Sequence, residues 1–178
     1  MCNKKHTTQA TLNLLYYVYS YMPDLKQHFL LSAIRNDNFA LFKLIEDIDG
    51  QEGWVFAHNM ENDVLCEALN SESRELFAYI LRNAHNSVLK QIWKSPDVSG
   101  NTILHTLIKR DDASALHILI RTLQERSDNN TESLLHELIQ TKNQNGDTPI
   151  ESIDQSKPHS TEIIRTLLKH GAHLEHDS

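Results

Sequence analysis

The sequence predicts an all-α fold, a short solenoid of repeated helix pairs, and three observations lead there. First, one segment recurs. Asp97-Val-Ser-Gly100-Asn-Thr102-Ile-Leu104-His105 returns as Asn143-Gln-Asn-Gly146-Asp-Thr148-Pro149-Ile150-Glu151, with Gly, Thr and the apolar residue displaced by one interval (100 to 146, 102 to 148, 104 to 150). Second, the residues upstream return at the same interval, Leu89, Ile92 and Trp93 as Leu135, Leu138 and Ile139. Two independent apolar patterns sharing one offset are the mark of a repeat architecture. Third, apolar residues recur at helical spacing, as in Ala115-Leu116 with Leu119-Ile120 and Ile163-Ile164 with Leu167-Leu168. Positions i, i+1, i+4 and i+5 form one buried stripe on a helix.

The elements follow in order. Thr8–Met22 reads as an amphipathic helix with Leu12, Leu15, Tyr16 and Tyr19 on one face, suited to cap the apolar end of a solenoid. Two helical patterns then alternate. Leu30-Leu-Ser-Ala33-Ile34 precedes Leu41-Phe42-Lys-Leu44-Ile45, and Leu65-Cys66-Glu67-Ala68-Leu69 precedes Leu76-Phe77-Ala78-Tyr79-Ile80-Leu81. The step from Leu30 to Leu41 and from Leu65 to Leu76 equals that from Leu104 to Ala115. Helix pairs are therefore expected near 28–35 and 39–47, 63–70 and 73–83, 102–109 and 113–126, and 148–155 and 160–170.

The turns have their own chemistry. Gly100 and Gly146 permit positive φ in a tight turn. Thr102 and Thr148 then stand where a helix begins, and a hydroxyl there can accept an orphan N–H. Pro149 suits a first helical turn. Gly171 reads as the left-handed residue that ends the last helix.

These residues resemble the ankyrin repeat. Thr102-Ile-Leu-His105 and Thr148-Pro-Ile-Glu151 match the family's Thr-Pro-Leu-His pattern, and Glu162-Ile-Ile-Arg-Thr-Leu-Leu-Lys-His-Gly171-Ala172 looks like its second helix. The resemblance implies an ankyrin-repeat solenoid of about four helix pairs: an N-terminal capping helix at 1–26, repeats at about 27–57, 58–96, 97–142 and 143–174, and a tail at 175–178. Glu61 stands where the second repeat would carry its turn glycine. Glu151 replaces the usual His, Asp154 a small residue and Thr166 a Leu, so the solenoid is expected to end here. Lengthened repeats leave room for extra helices near Ser87–Lys94 and Thr131–Thr141, the latter with Leu134, Leu135, Leu138 and Ile139 on one face. Thr131 and Ser133 compete as its cap. These helices either extend the core, the simpler role, or join in binding.

The function implied by the family is a non-catalytic protein-interaction scaffold. By resemblance, the residues facing a partner protein are Arg35, Asn36, Glu67, Asn70 and Ser71 in the first two repeats. In the others they are Val98, Ser99, Asn101, Thr106, Lys109, Arg110, Gln144, Asn145, Asp147, Ser152 and Gln155. His105 is implied to bond neighbouring turn backbone, and Cys66 takes the same slot as an inert buried thiol. Trp54 is either an interaction anchor or a packing residue. Lengthened repeats rich in Asn, Lys, His and Ile also resemble ankyrin effectors that intracellular bacteria deliver into host cells. The alternative in the same class is a cytosolic regulator that sequesters a partner of its own cell; an enzyme without a recognisable motif is a remote third.

Composition fits that expectation. The chain has 178 residues with 39% hydrophobic and 23% charged, and 17 Lys and Arg against 24 Asp and Glu give a net charge of −7. An acidic balance argues against a large nucleic-acid footprint, and no apolar run approaches a bilayer's width. Cys2 and Cys66 form no CxxC pair, so neither a cysteine zinc site nor a disulfide framework is expected. Asn13 and Tyr16, Tyr17, Tyr19 and Tyr21 interrupt the apolar run after Lys4 and Lys5 and no small-residue cleavage site follows, so a cytoplasmic chain without a signal peptide is expected; a monomer is expected as well. No GxxxxGK[ST], GxGxxG or GxSxG occurs. His136-Glu137-Leu-Ile-Gln140 misses HExxH by its second imidazole. His170, His173 and His176 are better explained by the helix dipole than by metal. No cofactor and no metal are expected.

Overall fold

The computed structural model describes residues 13–14, 16–18, 21, 23–49, 61–83, 99–126 and 129–173. Among them every regular element is a helix. These are α1 (Pro23–Arg35), α2 (Phe39–Asp49), α3 (Glu61–Asn70), α4 (Arg74–Asn83), α5 (Ile103–Lys109), α6 (Ala113–Glu125), α7 (Asn129–Gln140) and α8 (Ser160–Lys169). The chain divides into two compact units, Met1–Leu76 and Phe77–Ser178.

In the first unit α1 packs against both α2 and α3. Leu30, Ala33 and Ile34 of α1, Phe42 and Ile45 of α2, and Val64, Leu65, Ala68 and Leu69 of α3 are buried. Each fully buried Leu, Ile or Phe is worth about 1.5–3 kcal/mol against exposure, so these stripes are what hold the short helices together. The helix expected at Thr8–Met22 is described only at residues 13–14, 16–18 and 21, which are helical. Tyr16, assigned to its buried face, is 62% exposed, while Leu12, Leu15 and Tyr19 lie outside the described residues.

The loops between paired helices share one geometry. After α1, Asp37 adopts φ 46, after α3 Glu72 adopts φ 57, and after α5 Asp111 adopts φ 57. At each, the next amide reaches back five residues (Asn38 N to Ala33 O 2.8 Å, Ser73 N to Ala68 O 3.1 Å, Asp112 N to Leu107 O 3.0 Å). The left-handed residue's own amide bonds the following carbonyl, at Ile34, Leu69 and Ile108. This double closure is the Schellman motif, which usually recruits glycine. Here three acids occupy it, although a left-handed L-residue costs roughly 1–2 kcal/mol. Two of them have a compensating bond. The Asp37 carboxylate accepts from Ser73 Oγ, and Asp111 Oδ2 accepts from His159 N at 3.1 Å. In both cases the donor stands at the start of a later helix, α4 or α8.

The second unit is built around α6, which packs against α5, α7 and α8. Ala115, Leu116, Leu119, Ile120 and Leu123 form its buried stripe, as their spacing predicts. Asp112 caps it, accepting from Ala115 N at 2.9 Å. The added helix predicted at 131–141 is α7. Its Leu134, Leu135, Leu138 and Ile139 are buried, so it extends the core. The companion helix predicted near 87–94 lies outside the described residues. α8 ends on Gly171 at φ 93 with the same Schellman closure, Ala172 N to Leu167 O at 3.0 Å.

One expected helix is not formed. Residues 148–155 run through successive turns. Ser152 N still reaches Thr148 O at 3.1 Å, but Ser152 Oγ bonds the Pro149 carbonyl at 2.7 Å. Asp154 then turns its carboxylate onto Ser156 N and Oγ, at 3.0 and 2.6 Å. Short polar side chains that bond nearby backbone compete with helical propagation, and here they win after one turn.

Candidate functional site

Two turns, around Gly100 and Gly146, organise the surface of the second unit. Both glycines have positive φ, 73 and 88. In the second turn, Asn143 N donates to Asp147 O at 2.9 Å, and its Oδ1 accepts from Asn145 N and Asp147 N at 2.9 and 3.1 Å. The turns are joined by Gln144 N to Ser99 O at 3.1 Å and by Asn143 Nδ2 to Asn101 Oδ1 at 3.2 Å.

His105 ties the pair from beneath. The ring is 2% exposed. Its Nδ1 accepts from Thr102 N at 3.2 Å and stands 2.9 Å from Thr102 Oγ1, while Nε2 stands 3.1 Å from Asp147 O. An acceptor at Nδ1 and a donor at Nε2 define the neutral tautomer. One side chain therefore caps its own helix and grips the next turn. Glu151 occupies the same place after Thr148. Its Oε2 accepts from Thr148 N and Oγ1, both at 2.7 Å, and those bonds hold the carboxyl below its usual range. The cap is thus preserved, but a carboxylate has no donor corresponding to His105 Nε2.

The residues expected to face a partner fall into two groups. In the first unit, Arg35 and Glu67 meet each other, Nε to Oε1 at 2.7 Å, and the pair raises the Arg35 pKa. Asn36 Nδ2 turns back to Ser32 O at 2.7 Å and Ser71 Oγ to Ala68 O at 3.2 Å; Asn70 is exposed. In the second unit, Ser99, Lys109, Arg110, Gln144, Asn145 and Gln155 are exposed, whereas Asn101, Thr106, Asp147 and Ser152 are half-buried. Thr106 Oγ1 bonds Thr102 O at 3.3 Å. Ser152 is spent on Pro149 and Asp147 O on His105, so these two serve the scaffold first. Lys157 Nζ reaches the Lys109 carbonyl. Val98 and Trp54 lie outside the described residues, as does the side chain of Cys66.

A three-residue arrangement that spacing did not suggest joins α6 to α8. His117 Nδ1 lies 3.6 Å from Glu162 Oε1, and its Nε2 lies 3.1 Å from Thr166 Oγ1. Acid, imidazole and hydroxyl in that order have the outline of a nucleophile triad. The hydroxyl is not available to it, because Thr166 Oγ1 donates to Glu162 O at 2.8 Å. The imidazole and the carboxylate are also half-exposed. The triplet bridges two helices. Thr166, polar where the resembled family has Leu, thereby has a partner.

Among the described residues no group of three or more His, Cys, Asp or Glu side chains could hold a metal ion. No described helix is long and apolar enough to cross a membrane. No family model, no curated protein and no solved structure matches the chain.

Proposed function

We propose that this chain is a non-catalytic protein-interaction module of the ankyrin-repeat type. Its partner lies against the first helices of the pairs and the exposed turn residues. The observation that carries the reading is His105. A Thr-x-x-His side chain that caps its own helix and bonds the next turn is what a repeat needs to stack on its successor, and Thr148-x-x-Glu151 repeats the cap. The Schellman loops at Asp37, Glu72 and Asp111, placed alike between paired helices, support the same reading. Stacked repeats offer an extended surface whose side chains are free to diverge. Lys109, Arg110, Gln144 and Asn145 have the exposure this requires. Delivery of the chain into a host cell as a bacterial effector, with a host protein as the partner, is the setting that the sequence resemblance suggests.

The test is affinity for a captured partner. Lys109→Glu with Arg110→Glu removes two exposed cations and should leave the helical spectrum and melting temperature nearly unchanged, since such substitutions usually stay within about 0.5 kcal/mol. Partner affinity should fall by about tenfold or more, because interface energy concentrates in few residues, Arg among them. Glu75→Lys, exposed on α4, is the control. Equal loss from both, or loss only from the control, contradicts the proposed face.

A further inference from the structure

The second unit carries a groove of about 310 Å³ between α6 and α8 that none of the residues expected to meet a partner lines. Ile120, 3% exposed, lies at its base. Arg121, Arg165 and Lys169 surround it with the imidazoles of His117 and His170. This concentration of cations runs against a chain that carries a net −7.

Several cations of the described surface come with an acid. Arg35 has Glu67, Lys43 has Glu46, Arg82 has Glu125, and Arg121 reaches Glu125 one turn along its own helix. Arg165 and Lys169 have no such partner among the described residues. They stand one turn apart on α8, where like charges repel. Burial, and then the charge of Lys169, hold His170 below its ordinary pKa. A cation in the last turn of a helix complements the macrodipole. That accounts for Lys169 and His170 but not for Arg165, a full turn earlier.

We propose that this groove binds an acidic peptide segment of a partner protein, with carboxylates on Arg121, Arg165 and Lys169 and an apolar side chain over Ile120. The mixture of charge and apolar floor selects a peptide over a compact anion. Phosphate sites draw on free N–H groups at helix starts, whereas the amides along these two helix bodies are consumed in helical bonds. Carboxylates spaced along an extended chain can meet cations on both walls while the residues between them bury apolar surface.

The probe is a short labelled peptide of alternating Glu and Leu, titrated by fluorescence anisotropy against the full chain at low salt. Saturable binding is expected, weakening as salt screens the charges. Arg165→Glu with Lys169→Glu should weaken it by about tenfold or more. Arg165→Gln with Lys169→Gln, which keeps the side-chain stems, should weaken it less and serves if the reversal disturbs folding. Lys109→Glu with Arg110→Glu should leave peptide binding unchanged, which separates this site from the proposed interaction face. The Hε1 resonances of His117 and His170 should shift on titration. No saturable binding, or equal loss in the groove and Lys109/Arg110 variants, would overturn the proposal. So would displacement of the peptide by an equivalent of inorganic phosphate, or tighter binding of an oligonucleotide of equal charge.

Discussion

Replacing His105 by Ala removes a ring that is almost wholly buried and bonded at both nitrogens. Three partners lose it: the Thr102 amide, the Thr102 hydroxyl and the Asp147 carbonyl. At a net of roughly 1 kcal/mol per hydrogen bond, the loss is about 3 kcal/mol before the vacated space is counted. A chain of this size loses about 2–4 °C in melting temperature per kcal/mol, so thermal unfolding followed by far-UV circular dichroism should move down by roughly 6–12 °C. Two partial replacements divide the effect. His105→Asn keeps an acceptor near the position of Nδ1 and so keeps the cap, whereas His105→Gln places a donor near Nε2 and so keeps the reach to Asp147. Each should lose less than the Ala variant. A drop below about 2 °C for His105→Ala would refute the idea that this side chain ties successive turns, since it falls short of even one lost bond.

Further expectations come from the turns and loops. Gly100→Ala should cost more than Gly146→Ala, because both residues have positive φ but only at Gly100 would the new Cβ meet backbone, Gln144 N at 2.9 Å. Urea unfolding should rank them, with Gly146→Ala at about 1 kcal/mol from strain alone; equal losses would contradict the packing of the two turns. Glu72→Gly should stabilise by about 0.5–1 kcal/mol by relieving a left-handed acid, while Asp37→Gly and Asp111→Gly should gain less or lose, since each gives up a carboxylate bond. Glu151→Gln should lower stability at neutral pH. The native carboxyl has a depressed pKa, so its contribution is present above the unfolded value and disappears as pH falls through the folded one; the two proteins should converge in acid. A gap that persists in acid would mean the charge is not what Thr148 binds.

Much of the helical framework was legible because it rests on apolar periodicity and on glycine. The stripes of α2, α4, α6 and α8 follow directly from their Leu, Ile and Phe spacing, and Gly100, Gly146 and Gly171 all take positive φ. The added helix at 129–140 was readable from Leu134, Leu135, Leu138 and Ile139. The loops were not, because Asp37, Glu72 and Asp111 occupy places whose sequence signal is glycine. The expected helix at 148–155 yielded to local bonds from Ser152 and Asp154, which are decided by geometry and not by pattern. Tyr16 shows that amphipathic spacing alone does not say which face is covered. The groove between α6 and α8 was hidden for a different reason. Arg121 and Arg165 are distant in sequence, and only packing of the two helices brings them to one cleft. Of the residues expected to face a partner, Ser152 and the Asp147 carbonyl are engaged by the scaffold itself, which no spacing could show.

The most direct test of the central claim is photo-crosslinking in cells from a benzoylphenylalanine placed in turn at Lys109, at Asn145 and at Glu75. An interaction module that uses the first-helix and turn surface should trap the same partner protein from Lys109 and Asn145 and nothing from Glu75. Crosslinks arising only from Glu75, or different proteins trapped at Lys109 and Asn145, would contradict it.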